Sequence, residues 1–366
     1  MNIFVVRRNR GFGGAERVAE RIAGRFEALY PTTRLWAGET YQGRKIPGRH
    51  GPPWWRSLRF TRYLDRLKLR AGKGNIVFSL EYGPDCDIYR AGDGVHKLNV
   101  QRRYRGSPLW MLNPWHWIAP RLERKCLESA RVVIANSNLV KSLLRQTYPH
   151  LAEKVVTIYN GFDPALFHTA QQTKAELRRE LGLPGAGTML LLSGSGFVRK
   201  GLRHCIDLLA RLRREHGYDN ACLVVIGKGD ATPFRPQMQA LNVVDCIHFI
   251  GAVDDPQTYC QAADFMVLPT RHDPFSNACL EALACGCPVL TSAENGAAEV
   301  LAPDTGFVFE GRYDDAEFAA AIAFIRAFKT SPQAVAESVA HLSADAEFAQ
   351  YVELVATIHR HKQAAP

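Results

Sequence analysis

The chain has 366 residues, of which 46% are apolar, and a formal net charge of +10 at pH 7. Because a single hydrophobic core seldom grows beyond about 250 to 300 residues, this length predicts two α/β domains. The composition excludes a largely disordered chain, and no apolar run is long enough to span a bilayer. The excess of positive charge predicts attraction to phosphate-bearing partners.

The N-terminus and the cysteines indicate a cytosolic protein. The first strand-like run, at residues 3–6, is followed by three arginines within four residues, so it lacks the apolar core of a secretory signal. The nine cysteines are irregularly spaced, with no C-x-x-C pair for zinc or redox chemistry. Cys285 and Cys287 flank Gly286, and we expect both to be small buried residues beside a turn.

The segment RGFGGAER places three glycines between the first strand and a helix that begins near Ala15. Small residues let a ligand approach the backbone, and a helix N-terminus favours anions. The spacing matches neither the dinucleotide fingerprint G-x-G-x-x-G nor the P-loop. From the residues alone, a tight turn is the plainer interpretation.

Much of the positive charge falls between Arg44 and Lys73, where aromatic residues are interleaved with basic ones. One interpretation is a solvated helix face with a few core aromatics. The other is a surface for an anionic membrane or a phosphorylated acceptor, since basic groups beside aromatics suit lipid headgroups.

Short apolar runs alternate with helical periodicity along the rest of the chain, which predicts parallel sheets. Residues 201–216 are one example of such a helix. The predicted strands are NIFVV, NIVFSL and RVVIANS in the first half, and TMLLLSG, ACLVVIG, IHFIG, FMVLP and CPVLTS in the second. The glycine- and proline-rich stretch 160–187 predicts a domain boundary near residue 170. The domains are therefore expected at 1–170 and 171–340, followed by a helical segment at 341–366.

A second glycine loop, LLLSGSGFVRKG, follows a predicted strand. It contains Gly196 and ends in Arg199 and Lys200 before a helix. A guanidinium beside an ammonium can neutralise charge that develops on a departing diphosphate. Ordinary surface charge is the alternative for such a pair.

The block RHDPFSNACLEALACGCPVLTS has a strand before it, a helix within it and a strand after it. Ser276 or Asn277 can cap the helix, and Glu281 lies one turn inside it. Asp273 in the loop and Glu281 in the helix can both face the edge of the sheet where α/β proteins bind ligands. Two carboxylates there suit hydroxyl-rich ligands, because each accepts hydrogen bonds from sugar or ribose hydroxyls.

Taken together, these segments resemble the retaining GT-B glycosyltransferases of family 4 over nearly the whole chain. The resemblance rests on GFGGAER, ANSNLVKSLL, IYNGFDPALF, GSGFVRKG, VIGKGD, FIGAVDD and DPFSNACLEALACGCPVLTS. Within the family, the chain is most similar to the glucosyltransferases of the lipopolysaccharide core, through DIYRAGDGVHK and GSGFVRKG. The resemblance implies two facing Rossmann-like domains with a central cleft. The N-terminal one would bind the acceptor and the C-terminal one the nucleotide sugar, with the final helix packing toward the N-terminal domain.

The resemblance also implies roles for the donor-side residues. Arg199 and Lys200 match the basic pair that holds the donor diphosphate, and Glu281 matches the carboxylate that binds the ribose. Asp273 occupies the position that contacts the donor sugar, where the family usually has Glu. The further donor-site residues that the resemblance implies are Gly13, Gly14 and Gly196, together with the backbone amides of Phe275, Ser276 and Asn277.

On the acceptor side, Asp93 matches an acidic residue near the reacting carbon, and His96 is a second catalytic candidate in the same segment. A structural role is the alternative for either residue. Asp85-Cys86-Asp87 formally matches a metal-binding D-x-D motif but lacks the context of the fold that uses it. The resemblance implies no bound metal and no cofactor besides the nucleotide-sugar co-substrate.

The sequence therefore predicts transfer of a hexose, in the first instance glucose, from a UDP-sugar to a lipopolysaccharide core or similar glycolipid. The enzyme would work in the cytoplasm, with peripheral binding to the inner face of the membrane, and would not bind nucleic acid. One alternative is a glycosyltransferase acting on another polysaccharide or a small acceptor. Another is a basic membrane- or nucleic-acid-binding protein without catalysis. An NAD-dependent oxidoreductase is disfavoured because the first loop lacks G-x-G-x-x-G.

Overall fold

The computed structural model describes residues 1–8, 14–104 and 107–364, and the chain divides into two compact units. Unit 1 consists of Met1–Tyr159 and Glu347–Pro366, and unit 2 of Asn160–Ala346. The division falls about ten residues before the boundary expected near residue 170. The reason is that Phe162 pairs with residues close to the far end of unit 2, donating to the Leu342 carbonyl at 3.1 Å and accepting from the Ala344 amide at 2.7 Å.

Unit 1 is an α/β unit. Its parallel strands are β1 (Asn2–Arg7), β2 (Thr32–Trp36), β5 (Asn75–Ser79), β6 (Ile88–Arg90), β7 (Val132–Ala135) and β8 (Val155–Thr157), and the short antiparallel pair is β3 (Thr40–Tyr41) and β4 (Arg44–Lys45). Its helices are α1 (Gly14–Leu29), α2 (Pro53–Arg66), α3 (His96–Tyr104), α4 (Trp115–Ser129), α5 (Asn138–Thr147) and most of α14 (Ala344–Ala364).

The sheet of unit 1 is parallel, in the order β2-β1-β5-β6-β7-β8, and both of its faces are covered. Alternation along β1 sends Ile3 and Val5 to one face and Phe4 and Val6 to the other, where each pair joins a separate buried cluster. Residues of α1 and α14 cover the first face, including Tyr351. Burial on both faces explains why the strands are continuous apolar runs.

Unit 2 is a second α/β unit. Its strands are β9 (Met189–Ser193), β10 (Cys222–Ile226), β11 (Ile247–Gly251), β12 (Phe265–Leu268), β13 (Val289–Ser292) and β14 (Gly306–Phe309). Its helices are α6 (Lys174–Glu180), α7 (Phe197–Lys200), α8 (Leu202–Leu212), α9 (Arg235–Ala240), α10 (Pro256–Ala262), α11 (Asn277–Ala284), α12 (Asp315–Ala327) and α13 (Pro332–Ser338).

The strand order of each sheet identifies where a ligand is expected to bind. In unit 2 the order is β11-β10-β9-β12-β13-β14. After β9, the strands β10 and β11 are added on one side of β9, and β12, β13 and β14 are then added on its other side. In unit 1 the same reversal separates β1 and β5. Ligands of such sheets bind beyond the carboxyl ends of the strands at this reversal. A ligand is therefore expected at the loops after β9 and β12 in unit 2 and after β1 and β5 in unit 1.

No helix within the described ranges is both long enough and apolar enough to cross a membrane.

Candidate functional site

The loop after β9 turns back on itself through glycine. Gly194 has φ of 142°, a conformation that disfavours other residues, and its amide donates to the Ile226 carbonyl at 2.9 Å. A Cβ atom at this position would lie 2.7 Å from Cε of Lys200. The glycine therefore leaves the space in which the Lys200 side chain lies.

Gly196 directly precedes the single helical turn α7, and its expected role in donor binding stays a prediction. It has φ of 81°, its amide donates to the Lys228 carbonyl at 2.8 Å, and its carbonyl accepts from the Lys200 amide at 3.1 Å. These bonds close the turn and place Arg199 and Lys200 at its end. The Lys200 side chain is buried, while that of Arg199 is 52% exposed.

Arg199 and Lys200 meet the same carboxylate oxygen of Asp273, beyond β12. Lys200 Nζ lies 2.8 Å and Arg199 Nη1 3.2 Å from Asp273 Oδ2. Burial alone would raise the pKa of this carboxyl, but its pKa is lowered because the nearby ammonium and guanidinium stabilise the ionised form. The structure thus brings together the basic pair and the first acidic residue that the sequence singled out.

Backbone bonds fix the loop that carries Asp273. Its amide donates to the Glu294 carbonyl and its carbonyl accepts from the Gly296 amide, both at 3.0 Å. The hydroxyl of Thr270 donates to the Arg199 carbonyl at 2.9 Å, which joins the loop after β12 to the loop after β9. The two loops are therefore hydrogen-bonded to each other at the chain reversal of unit 2.

The start of α11 differs in one respect from the expected donor site. Phe275 and Ser276 are buried, and the Ser276 amide donates to Asn295 Oδ1 at 3.1 Å. That amide is therefore used inside the protein rather than offered to a donor. Asn277, at the first position of the helix, accepts a hydrogen bond at Oδ1 from Asn160 Nδ2 at 2.6 Å. Sequence reasoning missed the roles of Asn160 and Asn295.

The remaining donor-side candidates are Glu281, Gly14 and Gly13. Glu281 lies in α11 and is partly exposed. Gly14 is the first residue of α1. Gly13 lies outside the described residues, so its expected role stays a prediction.

In unit 1, Asp93 follows β6 and its side chain is 61% exposed. Its carboxylate lies 3.9 Å from Arg7 Nη1, and its carbonyl accepts from Asn99 Nδ2 at 3.0 Å. Arg7, at the end of β1, is held by a bond from Nη1 to the Leu80 carbonyl at 2.7 Å. Asp93 is thus an exposed acid at the carboxyl edge of the sheet, beside a fixed cation.

His96 begins α3 and is held in place by α4. Its ring nitrogen Nε2 lies 3.2 Å from His116 Nδ1, and its amide donates to Glu123 Oε1 at 3.0 Å. Burial, and then the neighbouring imidazole of His116, lowers the pKa of His96 to about 4. His96 is therefore neutral at physiological pH. No sequence pattern linked it to His116, which lies 20 residues further along the chain.

A second buried arginine lies at the same edge. Arg8 Nη2 is 3.5 Å from Glu81 Oε1, and its guanidinium lies over the Trp115 ring at 5.8 Å. The Tyr82 ring also stacks on the Trp115 ring, with ring centroids 6.0 Å apart. In the sequence analysis, Arg8 was used only as evidence against a secretory signal. Because Arg8 directly follows β1, at the edge of the sheet where ligands bind, it could have been named as a candidate site residue.

The two aspartates of the D-x-D segment take part in ion pairs within unit 1. Asp87 is buried and lies 3.3 Å from Arg70 and 3.4 Å from Lys362. Asp85 lies 3.3 Å from Lys125. Within the part of the chain that the structure describes, no cluster of three or more His, Cys, Asp or Glu residues could hold a metal ion.

Comparison with known protein families gives two matches that together cover most of the chain. Residues 12–166 match the model described as Glycosyltransferase Family 4, and residues 173–349 match the model described as Glycosyl transferases group 1. Arg199, Lys200, Asp273 and Glu281 fall within the second match, and Asp93 and His96 within the first.

Individual relatives are also glycosyltransferases. The chain is 24% identical over 305 residues to the lipopolysaccharide glucosyltransferase WaaG of Escherichia coli K12, an alignment that covers 80% of each protein. It is 30% identical over 179 residues to an uncharacterised glycosyltransferase of Methanocaldococcus jannaschii. That second alignment spans 48% of this chain and about half, 45%, of the archaeal protein.

Two solved structures share the fold over nearly the whole chain. The crystal structure of WaaG matches 97% of this chain and 99% of its own, with a TM-score of 0.76 at 21% identity. The structure of Anabaena Alr3699/HepE in complex with UDP-glucose matches 98% of this chain and 100% of its own, with a TM-score of 0.69 at 18% identity. The paired α/β units are therefore those of the GT-B fold.

Proposed function

The chain belongs to the family 4 glycosyltransferases of the GT-B fold, and we propose that it transfers glucose from UDP-glucose to a lipopolysaccharide core or similar glycolipid acceptor. The observation that carries the proposal is the Arg199–Lys200–Asp273 assembly at the chain reversal of unit 2. It joins two cations, which suit a diphosphate, to a carboxylate, which suits sugar hydroxyls.

In the proposed mechanism, the bound donor replaces the contacts that the two cations make with Asp273. The diphosphate receives hydrogen bonds from Lys200 and Arg199, and Asp273 accepts hydrogen bonds from hydroxyls of the glucose. Because the cations are fixed before the reaction, they stabilise the negative charge that builds on the leaving diphosphate at little reorganisation cost. Cationic side chains in this role substitute for the metal ion that other transferases use.

The reaction breaks the bond between C1 of glucose and the diphosphate oxygen, and it forms a bond between C1 and the acceptor oxygen. The electron pair of the broken bond stays on the UDP, and the proton of the acceptor hydroxyl moves to a departing diphosphate oxygen. We propose that attack occurs on the face from which UDP leaves, so that the anomeric configuration is retained. Retention rests on the resemblance to family 4.

The choice of donor and acceptor is supported by the relatives. One neighbour of the fold was solved with UDP-glucose, and the Escherichia coli relative is a lipopolysaccharide glucosyltransferase. Glu281 is proposed to bind the ribose hydroxyls of UDP from α11, while Asp93 and His96 are proposed to face the acceptor. The basic surface of α2 is proposed to bring the enzyme to the anionic cytoplasmic face of the membrane, where a lipid-linked acceptor is found.

The test is a transfer assay in which a panel of nucleotide sugars is offered with deacylated lipopolysaccharide core, core lacking its outer sugars, and simple glycosides. We expect UDP-glucose and the truncated core to give a product whose new linkage keeps the α configuration by NMR. Inversion of the anomeric carbon, or transfer only to simple glycosides, would contradict the corresponding part of the proposal. An unchanged rate after treatment with EDTA is expected, because the assembly uses cationic side chains.

Calorimetry with UDP and UDP-glucose separates the roles of the two carboxylates. Glu281→Gln should weaken binding of UDP itself, because the ribose is present in both ligands. Asp273→Asn should lessen the gain in affinity from UDP to UDP-glucose more than it changes binding of UDP. If UDP bound the Glu281 variant and the wild type equally well, the ribose role would be wrong.

A further inference from the structure

Three side chains of unit 1 form a continuous hydrogen-bonded chain that ends at His96. Tyr104 Oη lies 3.3 Å from His116 Nε2, and His116 Nδ1 lies 3.2 Å from His96 Nε2. The three residues come from both α3 and α4, with His116 in the middle, and the His116 side chain is buried. Both ring nitrogens of His116 are therefore used in one line of contacts.

The surroundings of His96 leave its ring little freedom to rotate. Its amide is bonded to Glu123 on α4, and its ring packs edge-to-face on Trp115, with centroids 5.7 Å apart. Tyr82, from the loop after β5, lies 6.4 Å away on the same ring. With the ring fixed, the chemistry that His96 offers depends on which of its two nitrogens carries the hydrogen.

The hydrogen-bonded chain couples that choice to Tyr104. His96 is neutral at physiological pH, as argued above, and two imidazolium ions 3.2 Å apart would repel each other. When His116 is neutral as well, each of the two contacts needs one donor and one acceptor. In the first possible arrangement, His116 Nε2 donates to Tyr104 and His96 Nε2 donates to His116 Nδ1. In the second, Tyr104 donates to His116 Nε2 and His116 Nδ1 donates to His96 Nε2.

The two arrangements leave His96 with opposite properties at its other nitrogen. In the first, Nδ1 has no hydrogen and can accept a hydrogen bond from a hydroxyl. In the second, Nδ1 carries a hydrogen and can only donate. In the first arrangement the acceptor hydroxyl donates to Nδ1, which orients it and leaves both lone pairs of its oxygen available for attack.

We propose that Tyr104 and His116 are positioning residues that hold His96 in the tautomer with hydrogen on Nε2, so that Nδ1 accepts a hydrogen bond from the hydroxyl of the acceptor sugar. The inference rests on the proposed transfer reaction, because the contacts allow both arrangements and the reaction favours the first, but the tautomer can be measured without any transfer. His96 orients the hydroxyl and does not keep its proton, which leaves with the diphosphate as described above.

The direct test is NMR of the full chain labelled with ¹⁵N-histidine, in which long-range correlations distinguish a ring nitrogen that carries hydrogen from one that does not. His96→Gln identifies the signals of His96. The wild type should show hydrogen on Nε2 and none on Nδ1. Tyr104→Phe, which removes the phenol oxygen that contacts His116 Nε2, should give a mixture of tautomers. Hydrogen on Nδ1 in the wild type, or an unchanged spectrum in Tyr104→Phe, would overturn the inference.

Kinetics provide the second readout. If the residues had only a structural role, kcat would not depend on whether the substituted side chain can accept a hydrogen bond from His96 Nε2. Tyr104→Phe should lower kcat for transfer by about 10-fold, with KM for UDP-glucose unchanged, since orienting groups act on the reacting hydroxyl. His116→Leu should do the same, whereas His116→Asn should retain more activity because its amide oxygen can accept from His96 Nε2. Equal kcat for His116→Leu and His116→Asn would count against the inference.

The matched control is Tyr41→Phe, which removes a phenol oxygen of unit 1 that accepts a hydrogen bond from the exposed side chain of Gln42. It should leave the tautomer and kcat unchanged. If His116→Leu does not fold, the Tyr104→Phe spectrum alone decides. If the wild type transfers no sugar but shows the expected tautomer, the proposed function is wrong and the positioning chain stands. If the wild type transfers sugar but shows the other tautomer, the positioning role of Tyr104 and His116 is wrong and the proposed function stands.

Discussion

The Asp273 carboxylate shares one oxygen between an exposed guanidinium and a buried ammonium, so the two cations are not equivalent for mutagenesis. Removing Lys200 would leave a buried carboxylate without its nearest partner, which typically costs about 3–5 kcal/mol of stability. From the sequence alone we would expect both substitutions to leave the fold intact. The structure restricts that expectation to Arg199.

We therefore predict that Arg199→Ala lowers kcat for transfer by about 10²-fold or more while the thermal unfolding midpoint of the enzyme changes little. The physical reason is the loss of a fixed positive charge next to the leaving diphosphate. Arg203→Ala, at an exposed position in the following helix α8, is the control for removal of one surface charge. A normal rate in Arg199→Ala would reject the role of this residue in diphosphate binding.

Glu123 gives a prediction about pH and stability in unit 1. Burial raises its pKa from 4.5 to about 7, although hydrogen bonds from the His96 amide and Tyr148 act in the opposite direction. A carboxyl with a raised pKa in the folded state makes the protein lose stability as pH rises from about 4.5 to about 7, because the unfolded chain ionises first. Above that window the loss is constant.

Glu123→Gln removes this ionisation, so its free energy of unfolding relative to the wild type should increase between pH 4.5 and pH 7. The difference should amount to about 3 kcal/mol in total, from the size of the shift. Urea unfolding of both proteins at several pH values measures this difference. The other titrating groups are the same in both proteins, so their contributions cancel. A difference that stays constant with pH would show that Glu123 has an ordinary pKa.

The sequence could identify the charged members of the donor assembly but not the residues that hold them. Arg199, Lys200 and Asp273 stand beside strand ends, and the carboxyl ends of parallel strands share one edge. Asn295 and His116 were not predicted, because each acts through a contact between loops or helices 19 or 20 residues apart. Such contacts depend on exact side-chain placement, which periodicity does not specify.

At the scale of whole elements, all eight strands predicted from apolar runs are present as β1, β5, β7, β9, β10, β11, β12 and β13. The short pair β3 and β4 was missed, and so were β2, β6, β8 and β14 of the parallel sheets. The sequences of these four parallel strands, TTRLW, IYR, VVT and GFVF, are short, and two of them contain arginine, so local composition gives little signal. They join the sheets through pairing with longer neighbours, such as β6 with β7.

The helix α14 provides a prediction about stability at this scale. Its Lys362 ammonium donates to the carbonyls of Arg70 and Asn75, at 3.0 and 2.7 Å, and lies 3.4 Å from the buried carboxylate of Asp87. Lys362→Met should destabilise unit 1 by about 3–5 kcal/mol, since it removes a buried partner of Asp87. Urea unfolding followed by signals from each unit measures this loss.

Lys329→Met, which replaces a lysine in unit 2, is the control for loss of one positive charge. The pairing of Asp87 with Arg70 and Arg131 remains in the Lys362 variant, at 3.3 and 3.8 Å. A loss of less than about 1 kcal/mol, the usual contribution of an exposed ion pair, would mean that these two arginines are enough to stabilise the buried Asp87 carboxylate.

The helix α2 carries the surface proposed to bind the membrane. Trp55, Arg59, Arg62 and Arg66 are exposed and recur at a helical spacing that puts them on one side. Each basic residue near an anionic leaflet contributes about 1 kcal/mol, which salt screens. The wild type should therefore sediment with vesicles in proportion to their anionic lipid content, and less so with added salt.

Replacing Arg59, Arg62 and Arg66 by Ser should abolish this binding without preventing transfer to a soluble acceptor fragment. Arg56 is left unchanged because it is only partly exposed. Substitution of Arg203, Arg214 and Arg235 in unit 2, all exposed, removes equal charge and should leave binding intact. If the α2 variant still bound, the exposed apolar side chains Leu109, Met111, Leu112 and Trp117 would be the next surface to test. No binding by the wild type would favour a solvated face.

At the scale of the whole molecule, the chain consists of two units with separate parallel sheets. The residues proposed to bind the nucleotide, Arg199, Lys200, Asp273 and Glu281, all lie in unit 2, and the positioning chain of His96 lies in unit 1. A ligand stabilises only the structure that it binds, by an amount set by its concentration relative to Kd. UDP alone should therefore stabilise unit 2 and not unit 1.

We predict that UDP at about 100 times its Kd slows hydrogen exchange of the core amides of unit 2 by up to about 100-fold, which corresponds to about 2.7 kcal/mol. The largest effect is expected in β9, α7 and the start of α11, and no comparable effect in β1, β5 and β7. Hydrogen exchange followed by mass spectrometry of peptides from both units measures this. Glu281→Gln at the same concentration of UDP should show a smaller effect, because its Kd is higher. Protection confined to unit 1 would place the nucleotide in the wrong unit and reject the donor site, whereas protection of unit 2 in the wild type but equally in Glu281→Gln would reject only the ribose contact.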